Sequence, residues 1–109
     1  MSFKLESYVD DQAGYLVLSP QGELDIYNTP DFKKESVKLY DASPMDILID
    51  GDKLKYVDST GLGGFIQLLN HLKGQDHHIY FKNIKDNIRK LFVITKLDEV
   101  FTFQEEDHA

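Results

Sequence analysis

The stretch STGLGGFIQLLNHLKG, residues 59–74, has the pattern of a helix with one buried face. Its large apolar residues recur three or four positions apart, which is the spacing of one face of an α-helix, and polar residues fill several of the positions between them. These apolar residues are Leu62, Phe65, Ile66, Leu69 and Leu72. Gly74 follows at the place where a helix C-terminus favours glycine. The stretch therefore predicts an amphipathic helix that begins at Ser59.

Five other stretches have the composition of β-strands. They are residues 3–9, 15–18, 45–50, 78–81 and 100–103. The first alternates apolar and polar residues, and the polar stretch after it predicts a hairpin. The second is almost continuously apolar, as in a strand covered on both faces, and Pro20 is expected to end or loosen its hydrogen-bond ladder.

Two further helices are expected on either side of the first. Thr29, Pro30 and Asp31 combine a capping hydroxyl, a proline at the first helical position and an acid near the positive end of the helix dipole. A helix should run from there to about Tyr40, and its imperfect apolar stripe predicts a peripheral position. The apolar spacing over residues 84–95 predicts the last helix.

The resulting order of elements, β-β-α-β-α-β-α-β, determines the expected fold class. Alternation of strands and helices after an opening hairpin predicts a single α/β domain with a mixed, mainly parallel sheet. We expect four or five strands, an antiparallel edge strand and helices packed on the sheet. The domain should span residues 1–109, with an ordered core at about 3–103 and a polar tail at 104–109.

The composition restricts the classes of protein to which the chain can belong. It has 109 residues, a formal net charge of −7 and no cysteine. A nucleic-acid or anionic-membrane binder needs a basic face, whereas the Lys and Arg residues are outnumbered and scattered. The lack of cysteine excludes disulfides, thiol nucleophiles and thiolate zinc sites, and no apolar run approaches the ~20 residues that cross a bilayer. We expect a soluble, cytoplasmic protein without a nucleic-acid or membrane partner.

Two short segments carry the candidate site. Gly22-Glu23-Leu24-Asp25 follows the second predicted strand, and Asp58-Ser59-Thr60-Gly61-Leu62-Gly63 opens the helix described above. A helix start favours an anionic group, and we expect the missing side chain of Gly61 to let another macromolecule come close. A phosphate on Ser59 would add about −1.5 to −2 charges beside Asp58. The alternative is that Asp58 or Ser59 is an ordinary N-cap, worth about 1 kcal/mol, and spacing alone does not exclude it.

Together these segments resemble the anti-sigma factor antagonists, the bacterial partner-switching regulators that typify the STAS domain. The resemblance covers nearly the whole chain, because the order of elements and the late segment 89–97 are also similar to the family. The string D-S-T-G-L-G at a strand-to-helix junction is its most specific part. Four positions depart from the family's usual pattern. They are Pro20, Gly51, Gly64 and Lys96, the last of which stands where the family often has glycine.

The resemblance implies a regulatory function without catalysis by this chain. By position, Ser59 would be the residue that a serine kinase, itself an anti-sigma factor, phosphorylates, and Thr60 is its less well matched neighbour. The unphosphorylated protein would bind that kinase and free the sigma factor, and a metal-dependent serine phosphatase would reset the cycle in a stress or sporulation response. The expected partner-binding residues are Glu23, Asp25, Asp58, Ser59, Thr60, Gly61, Leu62 and Gly63.

Several alternatives stay open at this point. Asp25 either contacts the kinase or caps nearby backbone, and both roles suit a loop carboxylate. The whole chain could instead be a STAS interaction module of another signalling or transport assembly, with or without nucleotide binding, although it has neither a P-loop nor a G-x-G-x-x-G motif. His71, His77 and His78 are expected to be solvated surface residues. We expect no catalytic residue, metal or cofactor.

Overall fold

The computed structural model describes residues 3–104, which form one six-stranded sheet and three α-helices. The strands are β1 Phe3–Asp10, β2 Tyr15–Leu24, β3 Asp46–Asp50, β4 Leu54–Val57, β5 Ile79–Lys82 and β6 Thr102–Phe103. The helices are α1 Thr29–Ala42, α2 Ser59–Lys73 and α3 Asp86–Ile94, followed by a single 3-10 turn at Leu97–Glu99. Apart from Gln104, the predicted tail lies outside the described residues. None of the helices within residues 3–104 is long and apolar enough to span a membrane.

The sheet is mixed, with one antiparallel strand at its edge. Its strand order is β1-β2-β3-β5-β6, and β4 also pairs with β2. The β1–β2 hairpin is antiparallel, and the other pairings are parallel. The predicted α/β class, mainly parallel sheet and antiparallel edge strand are therefore confirmed.

Strand β4 is absent from the sequence prediction, which had four or five strands. Leu54 and Val57 are buried, whereas Lys55 and Tyr56 between them are exposed, so the segment lacks the period-two alternation that marks a strand. β2 is long enough to serve two parallel neighbours, pairing with β3 through residues 15–18 and with β4 through residues 22–24. Strand β4, the one that the sequence did not predict, forms because β2 offers an unoccupied edge beyond the end of β3.

Pro20 does not end β2, but the pairing of β2 with its parallel neighbours is interrupted around it, in keeping with the expected loosening of the ladder. The strand continues to Leu24, and Pro20 lies opposite Leu5 of β1. On the other edge of β2, Pro20 falls between the last residue paired with β3, Leu18, and the first paired with β4, Gly22. A proline is best tolerated where no ladder hydrogen bond is needed, and this change of neighbour provides such a position.

Helix α1 is part of the core and not peripheral as predicted. Phe32 and Tyr40 are fully buried, and the ring of Phe32 packs edge-on against Phe65 of α2 with centroids 5.5 Å apart. The N-cap is Asn28, which makes no side-chain cap bond, so Thr29 is the first helical residue and not the cap. The apolar stripe is imperfect because the polar Ser36 also lies in the buried face.

Helix α2 has the predicted bounds and forms the centre of the core. Its buried residues include Leu68 in addition to the predicted positions, while Ile66 is partly exposed. Gly74 keeps a right-handed backbone with φ −61°, and the left-handed residue of the following turn is Asp76, with φ 61°. All three helices and alternate strand residues share one apolar cluster, so the helices cover the same face of the sheet.

This topology brings the two predicted segments together. Leu24 at the end of β2 pairs with Val57 at the end of β4, and α1 and α2 begin within five residues of those strand ends. The ends of parallel strands lie at the same edge of a sheet, where loops and helix starts form sites. The candidate residues therefore lie at one edge of the sheet.

Candidate functional site

The start of helix α2 is held by the side chain of Asp58. Its Oδ1 accepts hydrogen bonds from the backbone N–H groups of Thr60, at 2.9 Å, and Gly61, at 3.1 Å. Its carbonyl oxygen accepts from the N–H of Leu62 at 3.0 Å, which is the first bond of the helix. Asp58 is thus an N-cap of the kind that stabilises a helix by about 1 kcal/mol. The capping interpretation is confirmed for Asp58, and it leaves the serine beside it unengaged.

Ser59 is the first residue of α2 and is exposed, as is Thr60. Within residues 3–104 the Ser59 hydroxyl forms no hydrogen bond, so it is available to solvent. The helix after it packs on the core through one face and is capped by Asp58, and these contacts hold the backbone that carries Ser59. An accessible hydroxyl at a helix N-terminus suits a covalent charge-changing modification.

Asp25 orders the loop between β2 and α1 by accepting backbone N–H groups with its carboxylate, as Asp58 does at the start of α2. Its Oδ1 accepts from the N–H groups of Tyr27, at 3.0 Å, and Asn28, at 2.9 Å. The side-chain amide of Asn28 in turn donates to the carbonyl oxygen of Glu23 at 3.0 Å. Of the two roles left open for Asp25, the structure contains the backbone cap, and this role fixes the shape of the loop.

The two segments contact each other through Leu24. The carbonyl oxygen of Leu24 accepts from the N–H of Asp58 at 3.2 Å. A Cβ atom built on Gly61 would lie only 2.6 Å from that same oxygen and 2.9 Å from Cγ1 of Val57. Because a real Cβ cannot approach a backbone oxygen so closely, glycine is what lets α2 rest on the ends of β2 and β4.

Gly61 and Leu62 do not form part of the exposed surface that was predicted to bind a partner. Gly61 is buried against its own chain, so its missing side chain does not make room for another macromolecule. Leu62 is 4% exposed and belongs to the core. Gly63, by contrast, is partly exposed and has open space where a Cβ would be. Of the predicted partner-binding residues, Gly61 and Leu62 therefore pack against the core and the strand ends and hold the start of α2 in place.

The surface around Ser59 is acidic and also apolar. Glu23 is exposed, and it lies beside Tyr56 in the register of β2 and β4. Tyr56 is 47% exposed, and Ile26 and Tyr27, directly after Asp25, are 63% and 79% exposed. None of these three residues was among the predicted partner-binding residues. For Ile26 and Tyr27 the available signal was two large apolar residues inside a loop, because loops normally carry polar residues; Tyr56 lies in β4, the strand that the sequence did not predict.

Among residues 3–104, the structure shows no set of ligands for a metal, because no group of three His, Asp or Glu side chains is arranged to hold an ion. The histidines serve a different purpose: His77 Nδ1 lies 2.5 Å from the hydroxyl oxygen of Tyr40, and His71 Nε2 lies 2.8 Å from Asp41 Oδ1. His71 and His77 thus connect α2 and the turn after it to the end of α1 and are not merely solvated as predicted.

Comparison with known proteins identifies the fold. The model of the STAS domain family matches residues 5–109. The chain belongs to the STAS domain family. Over 105 residues, which are 96% of this chain and 95% of the relative, this STAS domain is 30% identical to the anti-sigma-B factor antagonist of Staphylococcus aureus. The predicted family resemblance is confirmed.

Solved structures agree with this assignment. An anti-sigma factor antagonist from Mycobacterium paratuberculosis superimposes with a TM-score of 0.80 at 22% identity, covering 96% of this chain and 87% of the other. The Bacillus cell fate determinant SpoIIAA in its phosphorylated form superimposes with a TM-score of 0.68 at 21% identity, covering 96% and 93%. At such identities the likeness establishes a common fold.

Proposed function

We propose that this STAS domain is an anti-sigma factor antagonist whose activity is switched by phosphorylation of Ser59. The observation that carries the proposal is the geometry of Ser59, an exposed and unengaged hydroxyl on the first residue of a helix that packs on the core through one face. The name of the Staphylococcus aureus relative, which is similar over nearly the full length of both chains, supports the antagonist role. The phosphorylated form of the Bacillus neighbour supports the modification.

The partner we infer is an anti-sigma factor that is also a serine kinase. In its reaction the γ-phosphoryl group of ATP passes to Ser59 Oγ, the hydroxyl proton leaves to a base of the kinase, and ADP is released. A metal-dependent serine phosphatase would hydrolyse the phosphoserine and restore the hydroxyl. This chain supplies the acceptor residue and its surroundings, and the two partners supply the catalysis.

The exposed apolar residues at the site suit a docking surface. Ile26, Tyr27 and Tyr56 would lose their exposed area on binding, and buried aromatic residues are commonly the energetic centre of protein interfaces. Glu23 and Asp25 lie next to them and would face basic groups of the partner. The site therefore combines an apolar contact with an acidic border.

Phosphorylation should disrupt this interface without a change of fold. The phosphate would bring about −1.5 to −2 charges to a helix start where Asp58 already carries a carboxylate. In the free protein water solvates these charges, whereas in the complex they would be desolvated and would repel each other. A coupling free energy of about 1–3 kcal/mol, or roughly 5–150-fold in affinity, is sufficient for a switch.

The test is incubation of the protein with its cognate anti-sigma factor kinase and ATP, followed by mass spectrometry of the phosphorylated peptide. We expect phosphate on Ser59, retained in Thr60→Ala and lost in Ser59→Ala. Thr60→Ala is the matched control, because Thr60 is the neighbouring exposed hydroxyl. Stable phosphate at another residue, or none, would refute the proposal.

A binding experiment tests the switch itself. Ser59→Asp should bind the kinase roughly tenfold or more weakly in calorimetry, while Ser59→Ala should bind but not be released by ATP. A pull-down from native extract distinguishes the remaining alternative. A kinase of the sigma-factor circuit as the main partner supports the proposal, whereas transport or scaffold subunits would favour a STAS module of another assembly.

A further inference from the structure

A groove next to Ser59 separates the exposed surfaces of helices α1 and α2. This α1/α2 groove has a volume of about 520 Å³ and is lined mainly by apolar surface. Thr60, the residue after Ser59, forms part of its wall. The groove is lined by Thr29, Pro30, Lys33, Lys34, Val37, Thr60, Gly64 and Gln67. It is therefore continuous with the proposed phosphorylation site.

The depth of the groove depends on a close contact between the two helices. A Cβ atom on Gly64 would lie 2.5 Å from Cγ2 of Thr29, so glycine lets the start of α1 approach α2 at the base of the groove. Val37, one of the apolar lining residues, is only partly buried. The apolar lining is thus accessible from outside.

The charges of the groove are opposite to those of the chain as a whole. Lys33 and Lys34 belong to its lining, and the lining contains no carboxylate. Neither ammonium group forms an ion pair with another residue in the range 3–104. The chain nevertheless has a formal charge of −7, and Glu23, Asp25 and Asp58 of the candidate site lie outside this lining. The groove therefore differs in sign of charge from the acidic residues of the site.

We propose that the α1/α2 groove receives an acidic segment, carrying at least one apolar side chain, from the same kinase that phosphorylates Ser59. This inference rests on the proposed function and adds a second contact to it. The two unpaired lysines favour an acidic occupant, and the apolar lining between Pro30 and Val37 favours an apolar side chain. The position of Thr60 makes this contact continuous with the docking surface around Ser59.

The change of sign would give the complex one orientation. A partner that presents a basic patch to Glu23 and Asp25 and an acidic segment to Lys33 cannot bind in the reverse direction without bringing like charges together. Such an arrangement would direct the Ser59 hydroxyl towards the kinase active site. Binding should consequently depend on Lys33 as well as on the acidic side.

Charge reversal of Lys33 tests the proposal against a matched control. Lys33→Glu places a carboxylate in the groove, whereas Lys38→Glu makes the same change at an exposed position of the same helix outside the lining. Calorimetric titration of purified cognate kinase into each folded variant should give roughly tenfold or weaker binding for Lys33→Glu and a near wild-type affinity for Lys38→Glu. Equal effects of the two variants would overturn the groove contact, since they would reflect net charge alone.

Two further readouts separate failure of this inference from failure of the proposed function. In amide NMR spectra, the signals of Val37 and Gln67 should shift when unlabelled kinase is added, and unchanged signals in a formed complex would overturn the groove contact. If Ser59 is phosphorylated and Lys33→Glu binds like the wild type, the antagonist function stands and the groove contact is wrong. If the kinase binds neither the wild type nor Lys33→Glu, the antagonist function and the groove contact are both wrong.

Discussion

Gly61 and Gly63, two residues apart at the start of helix α2, should respond differently to substitution by alanine. A Cβ at position 61 would lie 2.6 Å from the carbonyl oxygen of Leu24 and 3.0 Å from its Cβ. A Cβ at position 63 would meet nothing within 4 Å. The pair therefore isolates the steric requirement for glycine from its effect on helix propensity.

The expected magnitudes follow from these distances. Replacing glycine by alanine inside a helix stabilises a protein by about 0.5–1 kcal/mol, which both variants share. Gly61→Ala must also push α2 away from a backbone atom of β2, and such overpacking costs about 1–3 kcal/mol. We expect the free energy of unfolding to rise in Gly63→Ala and to be about 1–3 kcal/mol lower in Gly61→Ala than in Gly63→Ala.

Urea unfolding followed by circular dichroism measures this difference, and equal m values would show that both variants unfold from a comparable native state. For a domain of this size, each kcal/mol corresponds to roughly 4–8 °C in Tm. If Gly61→Ala is as stable as Gly63→Ala, the contact of α2 with the end of β2 is not tight. The explanation of Gly61 as a structural support for the Ser59 site would then be wrong.

Two other predictions concern the backbone at Lys96 and the pH dependence of stability. Lys96 adopts φ 63° and ψ 17°, a left-handed conformation that costs an L-residue about 1–2 kcal/mol. Lys96→Gly should therefore unfold at higher urea concentration than Lys96→Ala, and the reverse order would contradict this explanation. Burial, followed by the carboxylates of Asp41 and Asp46, raises the pKa of Tyr40 above its ordinary value of 10.0. The unfolded chain then releases this proton at a lower pH than the folded protein does. The contribution of Tyr40 to the free energy of unfolding is therefore complete below pH 10 and is lost as pH rises through the folded-state pKa. In Tyr40→Phe, the free energy of unfolding measured with urea should decrease less steeply above pH 10 than in the wild type. An unchanged pH dependence would show that other groups cause the decrease.

Local sequence was sufficient where one element determined its own structure. Residues 59–73 form a helix because their apolar residues repeat at helical spacing, and Asp58 caps it because a carboxylate before such a run can accept free N–H groups. The same two features placed Ser59 at the helix start, whereas the choice of Asp58 over Ser59 as the N-cap and the exposure of Ser59 came from the structure. The position most important for the proposed function was thus available from the sequence.

Other features depend on contacts between residues far apart in the chain, and the sequence did not reveal them. Strand β4 forms because β2 offers it a free edge, and Gly61 is needed because Leu24 lies beneath it. The interpretation of Gly61 as a space for a partner was wrong for this reason. A missing side chain has the same appearance in sequence whether the space is used by a partner or by the chain itself.

The sequence by itself therefore determined the α/β class and the helix at Ser59, because periodicity and capping are local properties, and the resemblance of its two motif segments indicated the family. The tertiary structure decided what surrounds that serine. Parallel pairing of β2 with β4 places Glu23 beside Tyr56, and the approach of α1 to α2 at Gly64 creates the groove that carries Lys33. These neighbours arise from long-range packing, and packing is what turns an exposed serine into a surface with an acidic side, an apolar side and a basic groove.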